Sequence, residues 1–304
     1  MAHGAACYRQ EAIHLLLTWR ARRTTGASGV HGAVALVVTD VPDEFRAILG
    51  DGDGDDVRYL PVDAAQLTAW RGGPQGYIHR IKPLAILHAV ASVQGCTDDA
   101  FLFVDSDTSF LADPAPLFAA VHAGDVFLHE REGTIAGNRR HTRSQGRLHA
   151  MSRHRSFTIG GRPQRLAPDL PLWNSGAIGL RGDRFGLIAE TLELTDAIHA
   201  VLPIATAEQV ALAAVLAEHR IVPRPAAPWL LHYHVFKEFR DDLAAFFAHY
   251  RGTPPDGWIA LLPQVDPQRR IAPKLAFNRQ PKWWRQLRKA VGRPWRPLPY
   301  PWLT

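Results

Sequence analysis

The sequence has few cysteines: Cys7 and Cys96 are the only two among 304 residues, and neither stands in a zinc-ligand pattern. This argues against a disulfide framework and a structural zinc site, and it is typical of a reducing compartment. No apolar run free of charge reaches the roughly 18 residues that cross a bilayer. Residues 1–10 are too polar for a secretory signal. We therefore expect a cytoplasmic protein without a membrane-spanning segment.

Acidic residues are missing from the last 26 residues, which hold seven basic ones. The rest of the chain has 28 lysines and arginines against 29 acidic residues, so the formal net charge of +6 is local. A nearly neutral body argues against a nucleic-acid-binding domain. One predicted helical face of the basic stretch carries Trp283, Leu287, Ala290 and Val291. We predict that it contacts an anionic membrane surface as a peripheral anchor; the alternative is that the tryptophans pack onto the domain.

The most informative motif is an apolar run that ends in two carboxylates, Phe101-Leu102-Phe103-Val104-Asp105-Ser106-Asp107. The run predicts a buried strand of an α/β sheet. Because side chains alternate along a strand, Asp105 and Asp107 are expected to project to the same side where it ends. Two carboxylates this close repel unless a cation lies between them, and hard oxygen ligands suit Mn²⁺ or Mg²⁺. The motif predicts a metal that holds a diphosphate; the alternative is a turn before Asp113-Pro114.

A second acidic stretch, residues 50–56, has the same Asp-x-Asp spacing but no strand before it. It superficially resembles a calcium loop of the EF-hand type. However, Asp56 stands where that loop requires a glycine, and Val62 stands where it requires a closing acid. We interpret this stretch as a solvated turn.

Predicted strands and helices alternate along the body. The expected strands are 33–40, 57–60, the run before Asp105, 125–129, 177–180 and 229–234, and the expected helices are 11–23, one through Phe45 and Leu49, one that starts near Pro83, 117–122, 185–201, 206–220 and 239–251. This order predicts an α/β fold with a mainly parallel central sheet flanked by helices. Residues 130–171 are expected to be irregular. We divide the chain into a catalytic domain over 1–270 and a basic, Trp- and Pro-rich tail over 271–304.

Two further segments offer polar side chains at the ends of predicted elements. Trp173-Asn174-Ser175-Gly176 leads into a strand, where the glycine permits close backbone approach and the Asn174 amide can bond sugar hydroxyls. Thr206-Ala207-Glu208-Gln209 opens a helix. Polar side chains in a first helical turn can face a ligand, although Glu208 can also simply complement the helix dipole.

A pair of histidines follows the last predicted strand. His232 and His234 flank Tyr233, and Lys237 lies just beyond. An imidazole can complete the coordination of a metal, and an ammonium group can offset the charge of a diphosphate. Either histidine can be the ligand at this point, and we favour His232.

Taken in order, these motifs resemble those of GT-A fold glycosyltransferases, and most closely those of family 8, which includes glycogenin and bacterial lipopolysaccharide α-galactosyltransferases. That class has an Asp-x-Asp strand end, an Asn-Ala/Ser-Gly segment, an acid-Gln pair at a helix start, and a His-x-x-Gly-x-x-Lys loop. The resemblance covers roughly residues 33–240. The matching positions here are Asp105 and Asp107, then Asn174-Ser175-Gly176, then Glu208-Gln209, and finally His232 with Lys237.

The resemblance implies transfer of a hexose from a nucleotide-diphosphate sugar, UDP-linked, to a glycan or glycolipid acceptor with retention of configuration. It implies Mn²⁺ or Mg²⁺ on Asp105, Asp107 and His232. Gln209 would lie near the reacting face of the sugar, and Asn174 and Glu208 would orient its hydroxyls. Donor contacts would come from Asp105, Asp107, Lys237, Ser175, Gly176, Arg80 and Lys82, the last two having a surface salt-bridge role as the alternative.

The chain departs from the family pattern in two places. The spacing from His232 to Lys237 is one residue short, and Val235 stands near the expected glycine. The first strand of the family, which carries uracil contacts, is hard to find in residues 1–8. The nucleobase is therefore predicted less firmly than the metal.

Residues 131–165 hold nine arginines and three histidines. One interpretation is a lid that binds an anionic glycan acceptor, because guanidinium groups pair with carboxylates and phosphates; the other is a solvated insertion. If the reaction inverted configuration, it would require a general base, and Glu130 is a candidate unless it is an ordinary surface acid. Two other functions stay open: a sugar nucleotidylyltransferase, although the sequence lacks its Gly-rich basic loop, and a non-catalytic membrane-associated scaffold.

Overall fold

The computed structural model describes residues 1–23, 33–50, 56–72, 76–93, 97–293 and 295–303. The acidic stretch that we interpret as a solvated turn falls almost entirely outside these residues, as does Cys96.

The elements alternate along the described chain, as expected of an α/β protein. The strands are β1 (Ala35–Thr39), β2 (Val57–Pro61), β3 (Ala100–Val104), β4 (Thr108–Phe110), β5 (Phe127–Thr134), β6 (Ser156–Ile159), β7 (Arg162–Arg165), β8 (Pro171–Arg181), β9 (Arg224–Pro225) and β10 (Leu230–His232). The helices are α1 (Ala6–Arg22), α2 (Pro42–Leu49), α3 (Ala64–Arg71), α4 (Ile81–Ala91), α5 (Ala115–His122), α6 (Ile135–Asn138), α7 (Arg143–His154), α8 (Gly186–Val201), α9 (Ala207–Glu218), α10 (Phe239–His249), α11 (Trp258–Leu261), α12 (Pro267–Asn278) and α13 (Lys282–Ala290). Short 3-10 helices cover Ile78–Arg80, Gly182–Arg184, Pro255–Gly257, Leu262–Val265 and Pro301–Leu303.

The central sheet has the order β3-β8-β5-β9, and β8 runs antiparallel to both of its neighbours. Parallel pairing joins β5 to β9 and β1 to β2, whereas β4–β10 and β6–β7 are antiparallel. The expectation of a mainly parallel sheet is therefore wrong for the described pairings. The reason is the connection from β5 to β8, which is a folded segment with its own helices and hairpin. A single crossover helix would have returned the chain parallel.

Helices cover both faces of the sheet, as predicted. Along β8 the side chains alternate, so that Ile178 joins a core with α8 and α9 while Ala177 joins another with α1, α5 and α10. Nine of the eleven residues of β8 are buried. This strand is the centre of the molecule, and the segment Asn174-Ser175-Gly176 lies within it.

Residues 130–171 are folded, so the expectation of an irregular segment is wrong. Thr134 caps α6 through the Gly137 N–H at 2.9 Å, and Thr142 caps α7 through the Gln145 N–H at 3.2 Å. The pattern Thr-x-x-Gln at 142–145 is a helix-start signal that the sequence analysis overlooked.

The C-terminal residues pack against the body. The boundary that we predicted at Arg270 falls inside α12, and the Arg270 guanidinium pairs with buried Asp242 at 2.7 Å. The same guanidinium donates to the backbone carbonyls of Leu298 and Pro299. The division into 1–270 and 271–304 stays a prediction. Across the parts of the chain that the structure describes, we find no helix with the length and apolarity needed to cross a membrane.

Candidate active site

Two strand pairings build the site around the connection from β3 to β4, which carries both predicted carboxylates. On one side, Val104 pairs with Ala177 of β8, and the Asp105 N–H donates to the Gly176 carbonyl at 2.8 Å. On the other side, His232 of β10 pairs with Thr108 of β4, and the Tyr233 N–H donates to the Asp107 carbonyl at 3.0 Å. The register of the strands therefore brings three distant segments to one point.

Asp105, Asp107 and His232 can together hold a metal ion. One ligand atom from each lies within 4.8 Å of the others, and all three residues are half-buried. His232 Nε2 is 3.0 Å from Asp107 Oδ1 and 3.9 Å from Asp105 Oδ2. Of the two histidines that the sequence left open, the structure brings His232 into this group. The His234 ring lies beside the His232 ring, tilted by 40° with the ring centroids 4.6 Å apart.

Asn174 determines which nitrogen of His232 faces the carboxylates. The Asn174 amide nitrogen donates to Glu132 Oε1 at 2.9 Å, which leaves its Oδ1 to accept from the Gly176 N–H and from His232 Nδ1, both at 2.8 Å. The Nδ1 atom of His232 is therefore a donor, and Nε2 carries the lone pair of the neutral ring. An outer hydrogen bond of this kind orients a metal-binding histidine.

The donor set fits a divalent cation. When the His232 ring is neutral, its Nε2 lone pair faces a carboxylate oxygen of Asp107 3.0 Å away, and two electron-rich atoms at this distance require a proton or a cation between them. Burial alone would raise the pKa of Asp107, but a proton on His232 Nε2 and the Lys237 ammonium group outweigh it and hold that pKa well below its ordinary value. Asp107 is therefore ionised. Two carboxylates with one imidazole suit Mn²⁺ or Mg²⁺, as predicted from the sequence.

Lys82 connects Asp105 to a second carboxylate. Its ammonium group lies 2.9 Å from Asp105 Oδ2 and 3.0 Å from Ser175 Oγ, and the Ser175 hydroxyl donates to Glu208 at 3.0 Å. Burial would lower the pKa of Lys82, but the neighbouring carboxylates raise it above its ordinary value. Burial raises the pKa of Glu208, and the charge of Lys82 opposes this. The predicted residues Lys82, Ser175 and Glu208 thus form one network with the metal-binding group.

Lys237 lies on the solvent side of the site. Its ammonium group is 3.0 Å from Asp107 Oδ2, and its side chain is 54% exposed. An exposed lysine beside a single carboxylate can turn to meet an incoming anion at little cost. This placement is compatible with the predicted diphosphate contact.

Within the described residues, two predicted residues make no hydrogen bond or ion pair with Asp105 or Asp107. Arg80 pairs with Asp196 of α8 at 2.7 Å and donates to the Trp70 carbonyl, which is the salt-bridge role left open above. Gln209 is half-buried, one residue beyond Glu208 on α9, and within the described residues its side chain makes no hydrogen bond. The donor role of Arg80 and the catalytic role of Gln209 stay predictions.

Two residues that hold the site together were not predicted from the sequence. Glu132 bonds Asn174 as described; Glu130, the candidate general base, is like Glu132 an exposed residue of β5. His129 accepts the backbone N–H of His232 on its Nε2 at 3.3 Å. Burial, and then the charge of His232, lowers the pKa of His129 to about 4, so this ring is neutral and able to accept. The acidic residues at 130 and 132 were the available signal. Glu130 is the register partner of Asn174, whereas Glu132 lies in the second bulge of β5 and is the one whose side chain bonds Asn174.

No known family model matches the sequence, and no curated protein is significantly similar to it. Among solved structures, the fold is similar to the crystal structure of mouse xyloside xylosyltransferase 1 in its apo form. The TM-score is 0.50 at 15% identity, over 81% of this chain and 91% of that chain. This similarity shows that the two chains share a mixed α/β fold. Family 8 membership and the GT-A details stay predictions.

Proposed function

We propose that the protein is a metal-dependent glycosyltransferase that moves a hexose from a nucleotide-diphosphate sugar, UDP-linked, to a glycan or glycolipid acceptor, with retention of configuration. One observation carries the proposal: Asp105, Asp107 and the oriented Nε2 of His232 converge within 4.8 Å just beyond the end of β3. The similarity of the fold to a xylosyltransferase structure supports it independently. The motif order that resembles family 8 supplies the hexose, the nucleotide and the stereochemistry.

In the proposed reaction, the bond between the anomeric carbon and the diphosphate breaks, and the acceptor hydroxyl oxygen bonds to that carbon. The hydroxyl proton leaves with the nucleoside diphosphate. A divalent ion on Asp105, Asp107 and His232 would neutralise the charge that grows on the diphosphate oxygens. Lys237 adds a mobile positive charge beside it.

The remaining predicted residues act on the sugar. In the proposal, Asn174 and Glu208 orient the sugar hydroxyls and Gln209 lies near the reacting face. Ser175, Gly176 and Lys82 shape the donor pocket. The side chain of Asn174 already has its hydrogen-bond partners in His232, Gly176 and Glu132. We therefore expect Asn174 to act on the donor mainly through the position of His232, as well as through any direct contact.

The test is a donor screen. Full-length protein with Mn²⁺ or Mg²⁺ and a panel of nucleotide sugars should release a nucleoside diphosphate and free sugar, and calorimetry should show nucleotide binding that requires the metal. Release of pyrophosphate from a nucleoside triphosphate would show a nucleotidylyltransferase instead. Absence of any metal-dependent nucleotide binding would favour the non-catalytic scaffold.

We further propose a cytoplasmic protein that lies peripherally on the inner face of a membrane through α13. No residue of α13 is buried, Trp283 and Trp284 are 66% and 42% exposed, and Leu287 and Val291 are exposed beside them. Lys282, Arg285, Arg288 and Lys289 surround this apolar surface. Exposed tryptophans among basic residues suit the headgroup region of an anionic bilayer.

The double variant Trp283→Ala/Trp284→Ala should lose sedimentation with phosphatidylglycerol vesicles and keep its donor turnover in solution. The control Val222→Ala removes a side chain that is 84% exposed elsewhere and should sediment normally. Deleting the whole tail is a poorer test, because Trp295 packs on Phe236 and Trp302 on Phe246. Equal pelleting of the double variant and the wild type would reject the anchor.

A further inference from the structure

One folded part of the chain carries positive charge without compensation. Residues 133–168, which we call the arginine subdomain, hold eight arginines, three histidines and no lysine, aspartate or glutamate. All eight arginines are exposed. None of them takes part in an ion pair with another described residue. Such a surface attracts anions strongly.

The arginines lie on a rigid support. The arginine subdomain contains α6, α7 and the β6–β7 hairpin, and it contributes Leu148, Met151, Phe157, Ile159 and Leu166 to the core with α8 and α9. On α7, Arg143 and Arg147 are one turn apart on the exposed face. Like charges at this spacing destabilise a helix. This pair of like charges therefore destabilises α7, and its presence requires an explanation other than the stability of the fold.

The near end of the arginine subdomain reaches the rim of the candidate active site. Asn138 donates to the backbone carbonyl of Glu132 at 2.7 Å, and the Glu132 side chain bonds Asn174, which orients His232. Arg139 and Arg140 follow Asn138 directly. Two arginines are thus placed beside the residues that position the metal-binding histidine.

The opposite end of the arginine subdomain, the β6–β7 hairpin, lies along α9. Gln164 of the hairpin donates to Glu218 at 2.6 Å, and Glu218 is ten residues beyond Glu208 on the same helix. At the rise of an α-helix this is roughly 15 Å. Arg162 and Arg165 are therefore well away from the site, and the positive surface extends from the rim to the hairpin. An extended molecule with several anionic groups matches this length better than one small anion does.

We propose that the arginine subdomain binds the acceptor, and that the acceptor is an anionic glycan whose carboxylate or phosphate groups pair with the guanidinium groups. The proposal rests on the proposed glycosyl transfer, because it names the second substrate of that reaction. Guanidinium groups bind both anions through two parallel hydrogen bonds, which fixes the orientation of a chain as well as its affinity. The acceptor hydroxyl would reach the site at the end marked by Arg139 and Arg140.

The experiment measures binding without donor or metal. Full-length protein is titrated with labelled oligogalacturonate, which carries carboxylates, with a phosphorylated oligomannose, and with a neutral galactose oligosaccharide of the same length. We expect binding of one of the anionic chains and none of the neutral chain. Arg139→Gln/Arg140→Gln and Arg162→Gln/Arg165→Gln should each weaken it at least about tenfold. The control Arg251→Gln/Arg269→Gln removes the same charge from exposed residues elsewhere and should bind as the wild type does.

Three results would overturn the proposal. The neutral chain could bind with the same affinity as the anionic chains, or the control variant could lose as much affinity as the two test variants. Alternatively, the same arginines could bind phosphatidylglycerol vesicles but no oligosaccharide. Failure of the proposed reaction is distinguishable from these. Asp107→Asn should lose donor turnover and still bind the anionic chain normally. In the wild type, intact binding of the anionic chain without any donor turnover would refute the glycosyl transfer and leave the surface assignment standing. Efficient transfer to neutral acceptors alone would refute only the acceptor.

Discussion

Asp107→Asn should reduce metal-dependent hydrolysis of the nucleotide sugar by roughly 10²–10³-fold while the protein stays folded. Asp107 contacts both His232 and Lys237, and its backbone carbonyl accepts from the Tyr233 N–H. The amide keeps the shape of the carboxylate but removes its charge. A divalent ion would then lose one of two anionic ligands, and affinity for it should fall with the turnover.

The measurement is Mn²⁺ binding by calorimetry beside hydrolysis rates across a range of metal concentrations, with thermal unfolding to confirm the fold. The matched control is Asp98→Asn, an exposed aspartate before the opposite end of β3, which should behave as the wild type does. If Asp107→Asn turned over donor at the wild-type rate with unchanged metal affinity, the assignment of the site would be wrong.

Gly176→Ala should have the second large effect, through His232. A Cβ atom at position 176 would stand 2.2 Å from His232 Nδ1 and 2.5 Å from its Cε1, far inside contact distance. The ring cannot easily move aside, because its side chain is only 6% exposed and hydrogen-bonded to Asn174 at 2.8 Å. We expect the metal affinity and turnover to fall about 10–100-fold, as when the outer support of a ligand is lost. The free energy of unfolding should fall by about 1–3 kcal/mol.

Gly186→Ala is the control for this change, because nothing lies within 4 Å of the Cβ atom that it would add at the start of α8. It should leave stability and turnover essentially unchanged. Normal metal affinity in Gly176→Ala would mean that the His232 ring is free to move, and it would contradict the role of Asn174 and Gly176 in orienting it.

Much of the fold followed from local patterns. The apolar run before Asp105 did form β3, and the helix predicted over 185–201 is α8 with almost the same bounds. These predictions succeed because burial of a strand or a helix face imposes a short repeat on the sequence. The direction of β8 was beyond such reasoning. The direction of β8 depends on where the 36-residue folded segment between β5 and β8 ends, and no local repeat in the sequence encodes that position.

The candidate active site was likewise predictable only in part. The types of its residues were visible: two carboxylates after an apolar strand, an Asn-Ser-Gly segment, an acid at a helix start and a histidine after a late strand. Which of two nearby candidate residues makes each contact could not be predicted from the sequence. Lys82 rather than Arg80 contacts Asp105, and the side chain of Glu132 rather than that of Glu130 bonds the Asn174 amide.

The sequence by itself determined which chemical groups are available and at which element ends they stand, because side-chain chemistry and short-range periodicity are local properties. Only the tertiary structure decided that His232 lies beside Asp107, that Asn174 orients the His232 ring, and that the arginine subdomain reaches the rim of this site. The contact between His232 and Asp107 depends on the hydrogen bonds between β4 and β10, which lie more than a hundred residues apart in the sequence, and a shift of one residue in their register would change it completely.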